Sequence, residues 1–271
     1  EFDASADASP ERRAPRAAAP KSPAAVEIER SIVEIIDEAR DVKTFRFDNR
    51  DGALPFDLPG KFVKLCLPVE GRDVWRSFTI SSSPARPEQL ELTIKLNPAG
   101  EVSPYLFRHA VPGMPVRMKG ALGGFCFDPD RHGEPLTLVS AGSGITPMMS
   151  IVRFLKDRGL ERECNFLYGS RTVDDIIFSR ECAELASGQP WLKYLVTLSQ
   201  PGDDWTGSAG RLTPEFLLEQ VPDVAASRVF LCGPNDVMDQ LEAALRAAGV
   251  PSERIHTEQF QKAPAKAVSR D

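Results

Sequence analysis

Residues 136–159 read LTLVSAGSGITPMMSIVRFLKDRG, and the reading of this stretch decides the fold. Residues 136–140 are an apolar run of strand length. Ala141-Gly142-Ser143-Gly144 is a loop whose glycines let backbone approach a ligand with no Cβ in the way. Thr146 is placed as an N-cap, with Pro147 at the first helical position, where no N–H is needed. Met148, Met149, Ile151, Val152, Phe154 and Leu155 follow at helical spacing, and Gly159 fits a C-terminal stop. Strand, glycine loop and helix start together aim free N–H groups and the positive end of a helix dipole at one point, which suits a phosphate. The same pattern also serves as a plain tight turn, and Pro147 stands where the usual dinucleotide fingerprint has its third glycine.

Downstream, strands and helices alternate. Strands are expected near 136–140, 163–168, 192–199, 228–232 and 255–259, and helices near 147–158, 178–186, 214–220 and 236–248. Such alternation implies right-handed crossovers and a parallel, Rossmann-like sheet. Ligands of these sheets bind at the carboxyl ends of the strands. Both the Gly142 loop and Cys232-Gly233-Pro234 fall at such ends.

Upstream of Asp128-Pro129 the texture differs. VEIERSIVEII, VKTFRFDN, KFVKLCLPV, VWRSFTIS, QLELTIKL and PVRMKG alternate with period two and are separated by Gly, Pro and Asp turns. Six short strands with one helix-sized piece, 103–109, predict a six-stranded antiparallel barrel. Residues 1–25 are rich in Ala, Pro, Ser and charge and read as a disordered tail. The expected organisation is therefore a tail at 1–25, a barrel at 26–131, an α/β domain at 132–261 and a polar linker at 262–271.

At 271 residues the chain is long enough for two cores. A net charge of −6 argues against a nucleic-acid binder, which needs a basic face. No apolar run approaches the roughly 18 residues that span a bilayer, so no membrane span is expected. Cys66, Cys126, Cys164, Cys182 and Cys232 are scattered and odd in number, which fits a reducing, cytoplasmic compartment and no metal site.

Two further stretches carry chemistry. In Arg76-Ser77-Phe78-Thr79-Ile80, followed by Ser81-Ser82-Ser83-Pro84, strand alternation puts Arg76 and Phe78 on one face and Ser77 and Thr79 on the other. A strand ending in a Ser/Pro turn, with Phe78 in the core, explains the same residues. In Gly100-Glu101-Val102-Ser103-Pro104 a glycine turn leads to a Ser N-cap and Pro at the first helical position. That is a second phosphate site or a simple helix start.

The order Arg-x-aromatic-Thr (76–79), Gly-x-x-Ser (100–103), Gly-x-Gly-x-x-Pro (142–147), Cys-Gly-Pro (232–234) and a late aromatic, Phe260, resembles the ferredoxin–NADP⁺ reductase superfamily over roughly 26–261. It is most similar to reductase components that feed iron–sulfur proteins, including the NADH reductase of hybrid-cluster protein. Gly210-Arg211-Leu212-Thr213 and Val221-Pro222-Asp223 share that likeness. The resemblance implies FAD, with FMN the lesser alternative, and NADH or NADPH as donor. It implies that Arg76 pairs with the flavin phosphates and Phe78 packs on the isoalloxazine. Phe78 stands where many relatives have Tyr, so a hydroxyl contact is missing. It further implies that Ser77 belongs to the same flavin segment, Thr79 lies near flavin N5, and Ile80 offers its backbone. Thr93, Ile94 and Lys95 match the strand beside the cofactor, and Gly100, Glu101, Val102 and Ser103 the pyrophosphate turn. Gly142, Ser143, Gly144, Ile145, Thr146 and Pro147 match the loop for the nicotinamide dinucleotide. Gly233 and Pro234 follow Cys232, which is implied to sit beside the nicotinamide. Ser170 and Arg171 are implied to lie at the adenosine ribose, where Arg171 would meet a 2′-phosphate or, as in the NADH-using hybrid-cluster reductases it also resembles, serve NADH, the donor favoured of the two, and Phe260 is implied to cover the other flavin face.

Thr79, Cys232 and Phe260 are thus the expected catalytic contacts of a flavoprotein NAD(P)H oxidoreductase, with no metal. Hydride transfer needs no general acid or base, so His109, His132 and His256 are expected at the surface or in packing. The implied acceptor is a ferredoxin-type 2Fe–2S protein, a removed C-terminal ferredoxin domain, a terminal oxygenase or hybrid-cluster protein. The plant-type Cys-x4-Cys-x2-Cys pattern does not occur in these 271 residues. A stand-alone flavin or cytochrome reductase and a non-catalytic module without flavin are the alternatives.

Overall fold

At Glu70-Gly71 two residues with positive φ join Val69 to its partner Arg72, the primed turn that suits the twist of a tight hairpin. This hairpin anchors the first half of the computed structural model, which describes residues 26–260. The expected tail at 1–25 and linker at 262–271 lie outside the described residues.

The barrel strands are β1 (Val26–Ala39), β2 (Val42–Asp48), β3 (Phe62–Val69), β4 (Arg72–Thr79), β5 (Gln89–Lys95) and β6 (Pro115–Leu122). Helix α1 (Val102–His109) lies between the last two. The strands pair antiparallel in the order β4-β3-β6-β1-β2-β5. An Ile80–Leu92 bridge and a Ser81 N–H donating to the Glu91 carbonyl at 2.9 Å bring the two edges together. The interior is filled by the alternate residues of each strand, including Ile32, Phe45, Leu65, Leu92 and Met118, all fully buried. Strand β1 runs three residues beyond the expected end, because register shifts at Ile32/Glu34 and Asp37/Ala39 bend it around the barrel.

The second half contains β7 (Leu136–Ala141), α2 (Ile145–Asp157), β8 (Cys164–Ser170), α3 (Ser179–Gly188), β9 (Leu192–Leu198), β10 (Ser208–Ala209), α4 (Pro214–Gln220), β11 (Arg228–Gly233), α5 (Asn235–Ala247) and β12 (Ile255–Gln259). All six strands are parallel, in the order β10-β9-β8-β7-β11-β12. Leu138 of β7 packs into the core beneath α2 and α3, while its neighbour Val139 packs into the core with α4 and α5. Successive strand residues thus feed opposite layers. The two-residue β10 has too short a pattern to be read from sequence.

The connector between the halves is anchored rather than loose. Phe125 meets Phe230 edge to face at 5.3 Å, and a Cβ on Gly60 would fall 2.1 Å from the Phe125 carbonyl oxygen. His132 and His256 pack around Phe230, His256 stacked on it at 4.6 Å.

Candidate functional site between the two sheets

The strand order of the parallel sheet reverses at β7: successive strands proceed to β8 on one side, while the chain returns to β11 on the other. Such a reversal opens a crevice at the carboxyl ends of the strands. Here a 3-10 turn, Gly142–Gly144, occupies that end of β7 and leads into α2. Gly142 has φ +56°, and a Cβ on Gly144 would come within 2.1 Å of the Cys232 carbonyl oxygen. Glycine is required at the first for conformation and at the second for close approach.

The helix start differs from the sequence expectation. The 3-10 turn already winds the chain, so α2 begins at Ile145 with Gly144 as its cap. Thr146 is inside the first turn, and its hydroxyl donates back to the Ser143 carbonyl at 3.1 Å. Pro147 is the third helical residue, still among the positions whose N–H has no intrahelical partner. Ser103 departs in the same way: α1 is capped at Glu101, and the Asn97 N–H donates to the Ser103 hydroxyl at 2.9 Å.

A cleft of about 770 Å³ lies where this turn faces the barrel. Arg76, Ser77, Phe78 and Thr79 of β4 line one side, with Thr93, Ile94 and Lys95 of β5 beside them. Ser143 and Thr146 approach from the α/β side, and Glu258, Gln259 and Phe260 close the end. All four residues of the β4 stretch reach the wall, so the expected split between its faces does not separate ligand side from core side. Thr93 is fixed by hydroxyl contacts to Thr44 at 2.7 Å and Ser81 at 2.9 Å.

Other expected residues stand behind or beside this wall. Ile80 is buried in the barrel core, and Ile145 in the core under α2. Glu101, at the turn of Gly100, Val102 and Ser103, accepts from Arg72 and lies 3.6 Å from the Arg76 guanidinium. Ser170 ends β8 and Arg171 follows it, outside the cleft, where Arg171 pairs with Asp175 at 3.2 Å. Cys232 is fully buried, one strand in from Glu258, and Gly233 and Pro234 continue past it to α5. Burial pushes the Cys232 thiol well above its ordinary value, and the Glu258 charge adds to that.

Three wall residues, Phe62, Glu258 and Gln259, were not singled out in the sequence. Phe62 opens β3 directly opposite Thr79, and this cross-strand register was its only signal. Glu258 sits beside Phe260 in a stretch read for its aromatic alone. Burial raises its carboxyl to about 7, and its Oε2 is enclosed with no hydrogen-bond partner among the described residues.

Residues 29–127 match the oxidoreductase FAD-binding domain and 138–242 the oxidoreductase NAD-binding domain. Ferredoxin–NADP reductase B of Sorangium cellulosum is 32% identical over 81% of this chain and 91% of its own length. The chain belongs to the ferredoxin–NADP⁺ reductase superfamily. Within that superfamily, the glycine betaine monooxygenase reductase subunit of Chromohalobacter salexigens is 34% identical over 86% of this chain. This chain spans 64% of that relative's length. Among solved structures, the Amycolatopsis cytochrome P450 reductase GcoB superposes with a TM-score of 0.77 at 26% identity, covering 87% of this chain and 70% of that one. FAD and a nicotinamide dinucleotide are thus the cofactors of this superfamily member's two domains. The residues present fit them: the cleft has the volume of a ligand pocket, its wall sets the apolar Phe62, Phe78, Ile94 and Phe260 among hydroxyl and charged side chains, and Glu258 brings an unpaired oxygen to it. Among the described residues no three His, Cys, Asp or Glu side chains gather as metal ligands, and no helix is long and apolar enough to cross a membrane.

Proposed function

We propose that the chain is the flavin and nicotinamide module of an electron-transfer reductase that serves an iron–sulfur protein. One observation carries this reading: a single cleft is lined from the barrel by Arg76, Ser77, Phe78 and Thr79 and from the phosphate-type turn by Ser143 and Thr146. When bound, FAD would supply two-electron hydride chemistry toward a reduced nicotinamide and one-electron chemistry toward an acceptor.

The chain's part is to bind, orient and shield. Arg76 offers a planar fork for phosphate oxygens, supported by first-turn amides at Val102 and Ser103. Phe78 and Phe260 supply apolar faces on the cleft wall, and Thr79 a hydroxyl on the same wall. The turn at Gly142, with the N-terminus of α2 behind it, receives the dinucleotide pyrophosphate. Arg171 is engaged by Asp175 rather than held open for a 2′-phosphate, which favours NADH. The similarity to a reductase subunit of a monooxygenase supports an oxygenase system as the destination of the electrons.

The test is reconstitution with FAD, followed by anaerobic addition of NADH or NADPH and then of a 2Fe–2S ferredoxin. Bound flavin that NADH bleaches and the ferredoxin reoxidises supports the reading. A chain that takes up no flavin overturns it.

A further inference from the structure

Helix α2 carries a second polar feature that the cofactor chemistry leaves unused. Thr146, Ser150, Arg153 and Asp157 follow one another at spacings of four, three and four, which puts them on one helix face. Thr146 opens on the cleft. The next three leave the α/β half and hold the barrel. The Ser150 hydroxyl donates to the Ser82 carbonyl at 2.7 Å, and Asp157 accepts from Arg86. Between them, Arg153 Nη1 donates to the Ser81 carbonyl at 2.8 Å and to Glu91 Oε2 at 3.0 Å. Its Nε and Nη2 bind the Glu181 carboxylate of α3 at 2.8 and 2.6 Å.

The place it grips matters. The Ser81–Glu91 backbone contact, next to the Ile80–Leu92 bridge, helps close the barrel between β4 and β5. Ser81 lies two residues beyond Thr79, and Glu91 two before Thr93, so both flank cleft residues. The Arg153 side chain is only 15% exposed and the Glu91 side chain 7%, so water screens this pair little.

We propose that Arg153 is a positioning residue for the reaction described above: by clamping the β4–β5 junction it fixes how closely α2 and the turn before it present Thr146 and Ser143 to the flavin strands. The helix is a stiff lever. Seven residues separate Arg153 from Thr146, about 10 Å along its axis, so a tilt at one end is felt at the other. Hydride transfer demands reacting atoms within about 3–3.5 Å, and a displacement of about 1 Å costs on the order of a hundredfold in rate. A fork with several fixed donors suits this task, since it can hold the carbonyl of Ser81 and two carboxylates at once.

The proposal rests on the flavin reading of the cleft, and the test separates the two. The full chain and its Arg153→Gln and Arg153→Lys variants are compared by amide hydrogen exchange without cofactor, by FAD titration, and by stopped-flow reduction with NADH. Arg153→Gln is expected to speed exchange in both 80–83 and 145–157, to keep FAD affinity within about threefold, and to lower the saturating reduction rate tenfold or more with little change in KM. Arg153→Lys, which retains the charge but not the fork, is expected to fold like the original chain and to give an intermediate rate. Unchanged exchange overturns the proposal, as does a saturating rate within twofold of the original in flavin-loaded Arg153→Gln. A rate loss explained by flavin release also overturns it. An original chain that binds no flavin overturns the reductase reading instead, while the exchange comparison still decides whether Arg153 joins the two halves.

Discussion

Glu258 stands opposite Cys232 in the parallel β11–β12 pair, its carboxyl at the cleft wall while the thiol of its neighbour is fully buried. The pair marks where the interior of the α/β domain becomes the wall of the site. Both groups lose solvent, Cys232 completely and Glu258 in part, with different consequences.

For Glu258 the consequence is a pH-dependent stability. Burial raises its carboxyl from 4.5 to about 7 in the folded chain. The folded state keeps a proton that the unfolded state gives up, so this contribution is complete below pH 4.5 and is lost as pH rises through about 7. At about 1.4 kcal/mol per unit, the slope amounts to a loss on the order of 3 kcal/mol across the window. Denaturant midpoints measured from pH 4.5 to 8 are expected to fall in the original chain and to be flatter in Glu258→Gln. Parallel curves for the two proteins would show that the carboxyl is ordinary.

Much of the fold is legible in the sequence because its signals are local. The period-two runs around Phe45 and Leu65 and the strand–glycine–helix order at Gly142 need no distant partner to be read. The α2 face is different. Arg153 and Asp157 look in sequence like the solvated side of an amphipathic helix, and only the docking of the halves shows that they meet Ser81 and Arg86. Phe62 and Glu258 escape for the same reason, since each reaches the cleft through strand register. Thr146 misleads in another way: Thr-Pro does cap α4 at Thr213-Pro214, but at α2 the preceding 3-10 turn moves the helix start upstream.

Gly142 and Gly144, two residues apart, are expected to respond differently to alanine. At Gly144 the new Cβ meets the Cys232 carbonyl oxygen at 2.1 Å, its carbon at 2.5 Å and the Gly233 nitrogen at 2.9 Å, all backbone that cannot step aside. The turn must part from β11, which costs roughly 3 kcal/mol or more and spoils the proposed phosphate site. At Gly142 nothing lies within 4 Å, so Gly142→Ala costs only the left-handed backbone, roughly 1–2 kcal/mol. Urea midpoints and NADH affinity for the two variants check this, and equal losses would contradict it.

Arg76→Ala is expected to release flavin while leaving the barrel folded. The Arg76 side chain is 45% exposed and takes no part in the barrel core. Its Nη1 donates to the Trp75 carbonyl at 2.8 Å, and Glu101 lies 3.6 Å away, so the fork is already oriented beside the turn before α1. Hydrogen bonds to a charged group contribute about 1.5–3 kcal/mol, which corresponds to an FAD affinity roughly 10- to 100-fold weaker. Fluorescence titration with FAD measures it directly. An affinity within twofold of the original would remove Arg76 from the phosphate site.

The last prediction separates two roles for Cys232. Its thiol is fully buried and held protonated at neutral pH, so it cannot act as a thiolate nucleophile. What remains is a small, polarisable neighbour to the strand end that carries Glu258 and the turn at Gly144. Cys232→Ala is expected to keep FAD bound and to slow reduction by NADH about tenfold, equivalent to about 1.4 kcal/mol of barrier. Cys232→Ser, which keeps the shape and a hydrogen-bonding group, should recover most of that rate. If both variants reduce flavin as fast as the original chain, Cys232 serves only to fill the space between β7 and β12.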